Sequence, residues 1–258
     1  MHGSARRWAE LLDSWAIPDE ILYAAPESPW GFDPDCFAPS SVADDTPSRQ
    51  LALAVLDEGG TVLDVGCGAG AAGLALAPPA ERVIGVDESP AMLDRFVAAA
   101  GERGVRVEPV EGTWPAVARR VRVAEVVVCH HVVYNVRDIV AFVVALTGRA
   151  RRRVVVEMTS AHPGRWLAPL WQQFWELDRP EGPTAGDFLA VLAEAGIEPI
   201  VEQATVAPQH LRSFADEVRL ARRRLCLPRE RDDEVAAALR AFPKGPRDAW
   251  SFAWPGDG

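Results

Sequence analysis

TVLDVGCGAGAAG, residues 61–73, is the stretch that decides the fold. A short run of apolar and β-branched residues stops at Val65. A turn with glycine at 66, 68 and 70 follows, and an Ala/Leu-rich helical pattern then runs to about residue 77. Glycine permits positive φ and lets a backbone approach a ligand closely, so strand, glycine turn and helix in this order predict a ligand-binding βα unit. Working outward, further apolar runs recur at RVIGVD (82–87), VRVEPV (105–110), EVVVC (125–129) and RRVVVEM (152–158), each separated by a helix-length segment. Strands buried on both faces read as continuous apolar runs, and their alternation with helices implies a parallel sheet with right-handed crossovers.

On the amino-terminal side, helical patterns fit residues 4–16 and 18–24, and Thr46-Pro47 opens a helix to about Asp57. Threonine suits the N-cap there, and proline the first turn. After residue 158 the segment HPGRWLAPLWQQFWELDRPEGP has the character of an insertion. A helix (184–195), a strand (197–204), helices at about 208–226 and 230–241, and a last strand (247–254) complete the pattern. The expected fold class is α/β, a Rossmann-like, seven-stranded, mostly parallel sheet with helices on both faces and the last strand antiparallel. Residues 1–258 are expected to form a single domain, in which 1–50 are a helical cap, 51–158 the core, and 159–183 and 205–246 cap insertions over the carboxyl edge.

The composition bounds the function. The chain has 258 residues, about half apolar and a quarter charged, as in ordinary globular proteins. Four dispersed cysteines (Cys36, Cys67, Cys129, Cys226) and no CxxC pair argue against a disulfide scaffold and a structural zinc. No apolar run reaches the ~18–20 residues of a membrane span. MHGSARRWAELL lacks a signal peptide's apolar core, so a cytoplasmic location is expected. A net charge of −10 disfavours a nucleic-acid partner. A homodimer remains open.

Chemistry enters with two acids. Asp87 ends the second strand, 21 residues after Gly66, where a carboxylate can accept from both hydroxyls of a ribose. The turn also contains a literal G-x-G-x-x-G (Gly68, Gly70, Gly73), so a dinucleotide competes. Asp64 argues against one. It would repel a pyrophosphate, at ~1–4 kcal/mol for each like-charge pair at 4 Å, and would attract an ammonium. S-adenosylmethionine offers an ammonium, a ribose and no phosphate. Alternatively, Asp64 only braces the turn through loop amides.

At this point the sequence resembles the class I S-adenosylmethionine-dependent methyltransferases over about residues 45–160. DVGCGAG (64–70) resembles the family's first motif and GVDES (85–89) its ribose-binding strand end. VEGTWP (110–115) stands where the family lays the adenine, and VVVCHHVVYNVRD (126–138) resembles its fourth-strand motif. The resemblance implies a cofactor site of Asp64, Gly66, Cys67, Gly68, Gly70, Asp87, Glu88, Thr113, Trp114, Cys129, His130 and Arg49, the last for the cofactor carboxylate or else a surface arginine. Thr113 stands where the family often has an acid, which shifts adenine recognition toward the Trp114 backbone amide and apolar contact. The family's [DN]PP[YFW] tetrapeptide after the fourth strand, typical of amino methylation of bases and glutamine, is missing.

Cys129-His130-His131 leaves the fourth strand at the edge where open α/β sheets bind ligands. His131 is the candidate general base, because histidine titrates near neutrality. Tyr134, three residues on along an expected helix, would share its face and orient a substrate; the pair could instead pack against the cofactor. Cys129 reads more readily as a buried small residue than as a nucleophile. Glu157 and His162 follow the fifth strand as possible cavity residues, or as a plain strand-end acid and loop histidine. SPWGF (28–32) could close the mouth. Trp166, Trp171, Phe174 and Trp175 recur at helical spacing, which suits a cap helix that also walls the pocket. The arginines of 219–231 alternate with acids and read as a solvated helix pair laced with salt bridges. RRR at 151–153 falls at the opposite edge.

The expected function is methyl transfer from S-adenosylmethionine to an oxygen, nitrogen or carbon of a small organic acceptor. The alternatives are an RNA or protein methyltransferase, an NAD(P)-dependent oxidoreductase, and a non-catalytic S-adenosylmethionine-binding module.

Overall fold

The computed structural model describes residues 3–30, 45–206 and 213–258. In chain order the elements are α1 (Gly3–Asp13), α2 (Asp19–Ala24), α3 (Pro47–Leu53), β1 (Thr61–Val65), α4 (Ala71–Leu74), β2 (Arg82–Asp87), α5 (Pro90–Arg103), β3 (Arg106–Glu111), β4 (Ala124–His130), α6 (Ile139–Thr147), β5 (Ala150–Thr159), α7 (Ala168–Trp175), α8 (Ala185–Glu194), β6 (Ile200–Val206), α9 (Phe214–Arg224), α10 (Asp232–Ala241) and β7 (Arg247–Pro255). The seven strands form one sheet in the order β3-β2-β1-β4-β5-β7-β6. β7 runs antiparallel between β5 and β6, and the other pairs are parallel. This is the architecture expected from the run pattern. No helix among the described residues is long and apolar enough to cross a membrane.

Local chemistry sets the element ends. Thr46 caps α3 by accepting from the Arg49 amide, with Pro47 in the first turn. Ser89 caps α5 from the Met92 amide, and Gly104, at φ 65°, ends it. α4 is much shorter than its Ala/Leu pattern suggests: it stops at Leu74, soon followed by Pro78 and Pro79, which have no amide to continue a helical ladder.

Strand parity divides the core. Leu63, Val65, Val127 and Cys129 pack on one face with Trp8 of α1, Phe142 of α6 and Phe188 of α8. Val62, Val126 and Val128 pack on the other with Ala52 of α3, Leu74 of α4 and Phe96 of α5. Full burial of each such large side chain contributes about 1.5–3 kcal/mol. A third apolar cluster joins Ile21 of α2, Leu170 and Trp171 of α7, Val218 and Ala221 of α9, and Val235 and Leu239 of α10. Trp166, Phe174 and Trp175 pack against it. The helical spacing of these aromatics is thus that of a buried amphipathic face, while the expectation that they also wall the pocket is corrected: they build a small core of their own where four amphipathic helices meet.

The arginine-rich stretch is ion-paired as expected, with one correction. Arg222 is not solvated: its side chain is 3% exposed and sits between Glu27 (3.1 Å) and Asp232 (2.9 Å). Arg151 and Arg152 pair with Glu125 and Asp57 at the amino-terminal edge, away from the site. Cys36 and part of SPWGF (28–32) lie outside the described residues.

Candidate active site

Parallel strands deliver their last residues to one edge, and a cavity of about 1750 Å³ opens there. A pocket for one small molecule measures about 300–1,000 Å³, so this one has room for a nucleoside and a second molecule.

The glycine turn forms the first wall. The Gly66 and Cys67 amides both donate to the Val86 carbonyl (2.8 and 3.0 Å), which folds the turn back over β2. Gly66 has φ 71°, and a Cβ there would strike Val132. Gly68 has φ 52° and nothing within 4 Å of where a Cβ would stand, so its open face leaves room for a ligand against the backbone. Cys67, Gly68, Asp87, Glu88, Thr113 and Trp114 all line the cavity. Asp87 accepts from the Gly68 amide through Oδ2 and from the Ser89 amide through Oδ1, both at 2.9 Å. Each oxygen keeps a further lone pair, in an orientation fixed by these two bonds. Trp114 is anchored by Nε1 donating to the Phe142 carbonyl (3.4 Å).

Of the two readings weighed for Asp64, the bracing of the turn is the one observed. Its Oδ2 accepts from the Gly73 amide (2.8 Å), bracing the turn, and the residue also lines the cavity. A Cβ on Gly73 would lie 2.8 Å from that oxygen, so glycine is required there. Burial pushes the Asp64 carboxyl up to about 7, against the pull of the Gly73 amide, with the charge of Asp87 adding to the rise.

The ends of β4 and β5 form the second wall. His131 stands just beyond β4 at φ 58°, with its amide donating to the Glu157 carbonyl (2.8 Å). Its Nε2 lies 3.2 Å from Glu157 Oε1, and the ring is half exposed. The other Glu157 oxygen accepts from the Ser48 hydroxyl of α3 at 2.5 Å. Burial pushes the Glu157 carboxyl up, but the imidazoles of His130 and His131 and the Ser48 hydroxyl outweigh it and hold the group at about 2. His130 is itself kept below the usual histidine range by burial, and its Nε2 has no partner among the described residues. Ser48, His130, His131 and Glu157 all line the cavity. Arg49 lines it too, with Nε donating to the Ala75 carbonyl (3.0 Å).

Two expectations fail here. Tyr134 lies in a 3-10 turn, Val133–Asn135, and α6 begins only at Ile139, capped by Asp138. The hydroxyl is therefore not turned to a substrate. It pairs with Thr159 Oγ1 (2.6 Å) and accepts from the Thr159 amide, buried, and burial pushes the phenol up. Cys129 is fully buried on the face opposite His130 and does not reach the cavity, because alternate residues of a strand point to opposite faces. His162 also stays out: its ring stacks on Trp15 at 3.8 Å and Nδ1 accepts from the Gly164 amide. What the sequence reading missed is Ser48, 109 residues from its partner Glu157, for which no local pattern exists.

Residues 62–149 match the family model described as a methyltransferase domain. No curated protein matches the chain. Among solved structures the chain is similar to the YcgJ protein from Bacillus subtilis, at TM-score 0.56 and 17% identity over 82% of this chain and 99% of that one. It is similar to the [4+2]-cyclase SpnF, at TM-score 0.54 and 16% identity over 81% and 80%. A geranyl diphosphate methyltransferase in complex with GPP and sinefungin follows at TM-score 0.50 and 15% identity over 80% and 76%. These likenesses establish the shared fold.

Proposed function

We propose that this chain, whose residues 62–149 match the model of a methyltransferase domain, transfers a methyl group from S-adenosylmethionine to a small organic acceptor, at an oxygen, nitrogen or carbon. The observation that carries the reading is the first wall: a turn with one open glycine face, a ribose-ready Asp87, and a buried Asp64 whose carboxyl waits near neutrality for a cation. A diphosphate would meet the carboxylates of Asp87 and Glu88 there, both lining the cavity.

When bound, S-adenosylmethionine supplies a methyl carbon activated by its sulfonium. The chain supplies position and proton transfer. Asp64 takes the ammonium, Asp87 the ribose hydroxyls, Arg49 the carboxylate, and Thr113 with Trp114 frame the base. His131 receives a proton from the acceptor. Glu157, ionised, holds its Nε2–H, which leaves Nδ1 as the lone-pair nitrogen. Alignment of this kind is worth up to ~7–11 kcal/mol in well-oriented systems, and a general base adds about 10²–10⁴-fold.

The similar geranyl diphosphate methyltransferase supports a small acceptor, and a net charge of −10 weighs against RNA. The similar [4+2]-cyclase is a neighbour whose reaction is not named as methyl transfer, so the rival reading, cofactor binding without methyl turnover, is tested alongside. The test is calorimetry with S-adenosylmethionine, S-adenosylhomocysteine and NAD, followed by methyl-labelled cofactor against small-molecule extract, RNA and protein. Nucleoside binding with label in a small product is expected. Binding of NAD alone, or label only in a macromolecule, would overturn the reading. Binding with no label anywhere would favour the rival.

A further inference from the structure

We infer that the acceptor is an anion, a small molecule carrying a carboxylate or phosphate group, seated by Arg247 at the far end of the cavity; this rests on the methyl-transfer reading above. Arg247 opens β7 and Ala249 follows on the same face. The register places Ala249 opposite Thr159 and Arg247 opposite Val206, and all four line the cavity. Arg247 thus projects just past the end of β5, beyond Glu157.

Its guanidinium is unclaimed. Nε is buried without a partner, and among the described residues no ion pair or side-chain hydrogen bond involves Arg247. The nearby acids are engaged elsewhere. Glu217 pairs with Lys244 (3.7 Å), Asp248 accepts from Thr205 (2.9 Å), and Glu157 is held by Ser48 and His131. A partly buried guanidinium without a counter-charge is costly, and its planar fork matches carboxylate and phosphate oxygens.

Arg224 of α9 also lines the cavity, and it has a partner of its own. The cofactor carboxylate does not account for Arg247, because β7 lies three strands from β1, about 14 Å across the sheet. Asp64, Asp87 and Glu88 line the cavity at the β1–β2 end, and Arg247 lines it at the β7 end. An acceptor held by its anionic group would present its other end to His131.

The test uses methyl-labelled S-adenosylmethionine and a small-molecule extract split on anion-exchange resin. Label is expected in products of the retained fraction. Prior phosphatase treatment abolishes it for a phosphate ester, and prior carbodiimide amidation for a carboxylate. In Arg247→Gln, S-adenosylhomocysteine affinity by calorimetry should stay within twofold, while KM for the retained fraction rises at least tenfold, with partial rescue by Arg247→Lys. Label from the unretained fraction, an unchanged KM, or weakened S-adenosylhomocysteine binding in Arg247→Gln would overturn the anion seat. Failure of the wild type to bind S-adenosylhomocysteine would instead remove the underlying methyl-transfer reading.

Discussion

Asp64 and Glu157 are both carboxylates at the ends of parallel strands, β1 and β5, and both line one cavity, yet their surroundings hold them in opposite states. Asp64 has a single amide donor and an acidic neighbour, and burial lifts it to about 7. Glu157 is also pressed upward by burial, but two imidazoles and a hydroxyl bring it to about 2. In the proposed reaction the first takes a cation and the second orients the His131 ring, which makes one a binding end and the other a reacting end, so perturbing each should move a different observable.

The largest effect is expected at the reacting end. His131→Ala should lower kcat by about 100-fold or more, with S-adenosylhomocysteine affinity by calorimetry unchanged. Glu157→Gln should reproduce part of that loss, again in kcat. A fall in affinity equal to the fall in kcat would erase the division between the ends. At the binding end, Asp64→Asn keeps an acceptor for the Gly73 amide but loses the charge for the ammonium. A charged hydrogen bond is worth about 1.5–3 kcal/mol, so affinity should drop roughly 10- to 150-fold.

Titration sharpens the contrast. With Asp64 poised at about 7, cofactor affinity should rise with pH, by up to about tenfold per unit below 7, until the ligand's own amine deprotonates near pH 8. Stability should show the reverse. The folded state holds the Asp64 proton that the unfolded chain releases above its model value of 3.8, so that stabilisation is lost as pH rises through about 7. Its full size is on the order of 4 kcal/mol, and Asp64→Asn should flatten the slope in urea titrations. Glu157 acts oppositely: its stabilisation is present above its model value of 4.5 and is lost as pH falls toward 2. The smallest effect concerns Tyr134. Tyr134→Phe should lower Tm by a few degrees through loss of bonds worth about 1 kcal/mol each, and leave cofactor affinity intact.

The two ends also differ in how legibly the sequence encodes them. The binding end is written in contiguous residues, because a turn from Val65 to Gly70 needs glycines at fixed places and β2 must end on an acid. The number of strands and their mostly parallel run followed from the apolar runs for the same local reason. The reacting end is assembled from chain far apart. Ser48, His131 and Glu157 meet only once α3, β4 and β5 are packed, and no spacing announces it. Tyr134 was misjudged because a helical spacing was assumed where Val133–Asn135 turns more tightly and Asp138 starts the helix later. Cys129 was placed by adjacency to His130, although strand parity sends the two to opposite faces.

The Ser48–Glu157 bond has a practical corollary for where this enzyme begins and ends. Both partners, and Arg49 beside the first of them, lie outside residues 62–149, the portion that defines the domain by likeness. A polypeptide trimmed to that portion would lose this bond together with β5, β6 and β7 and the α1, α3 and α8 side chains that fill the two core faces. Engineers shortening the molecule should keep α3 and the whole sheet with the glycine turn.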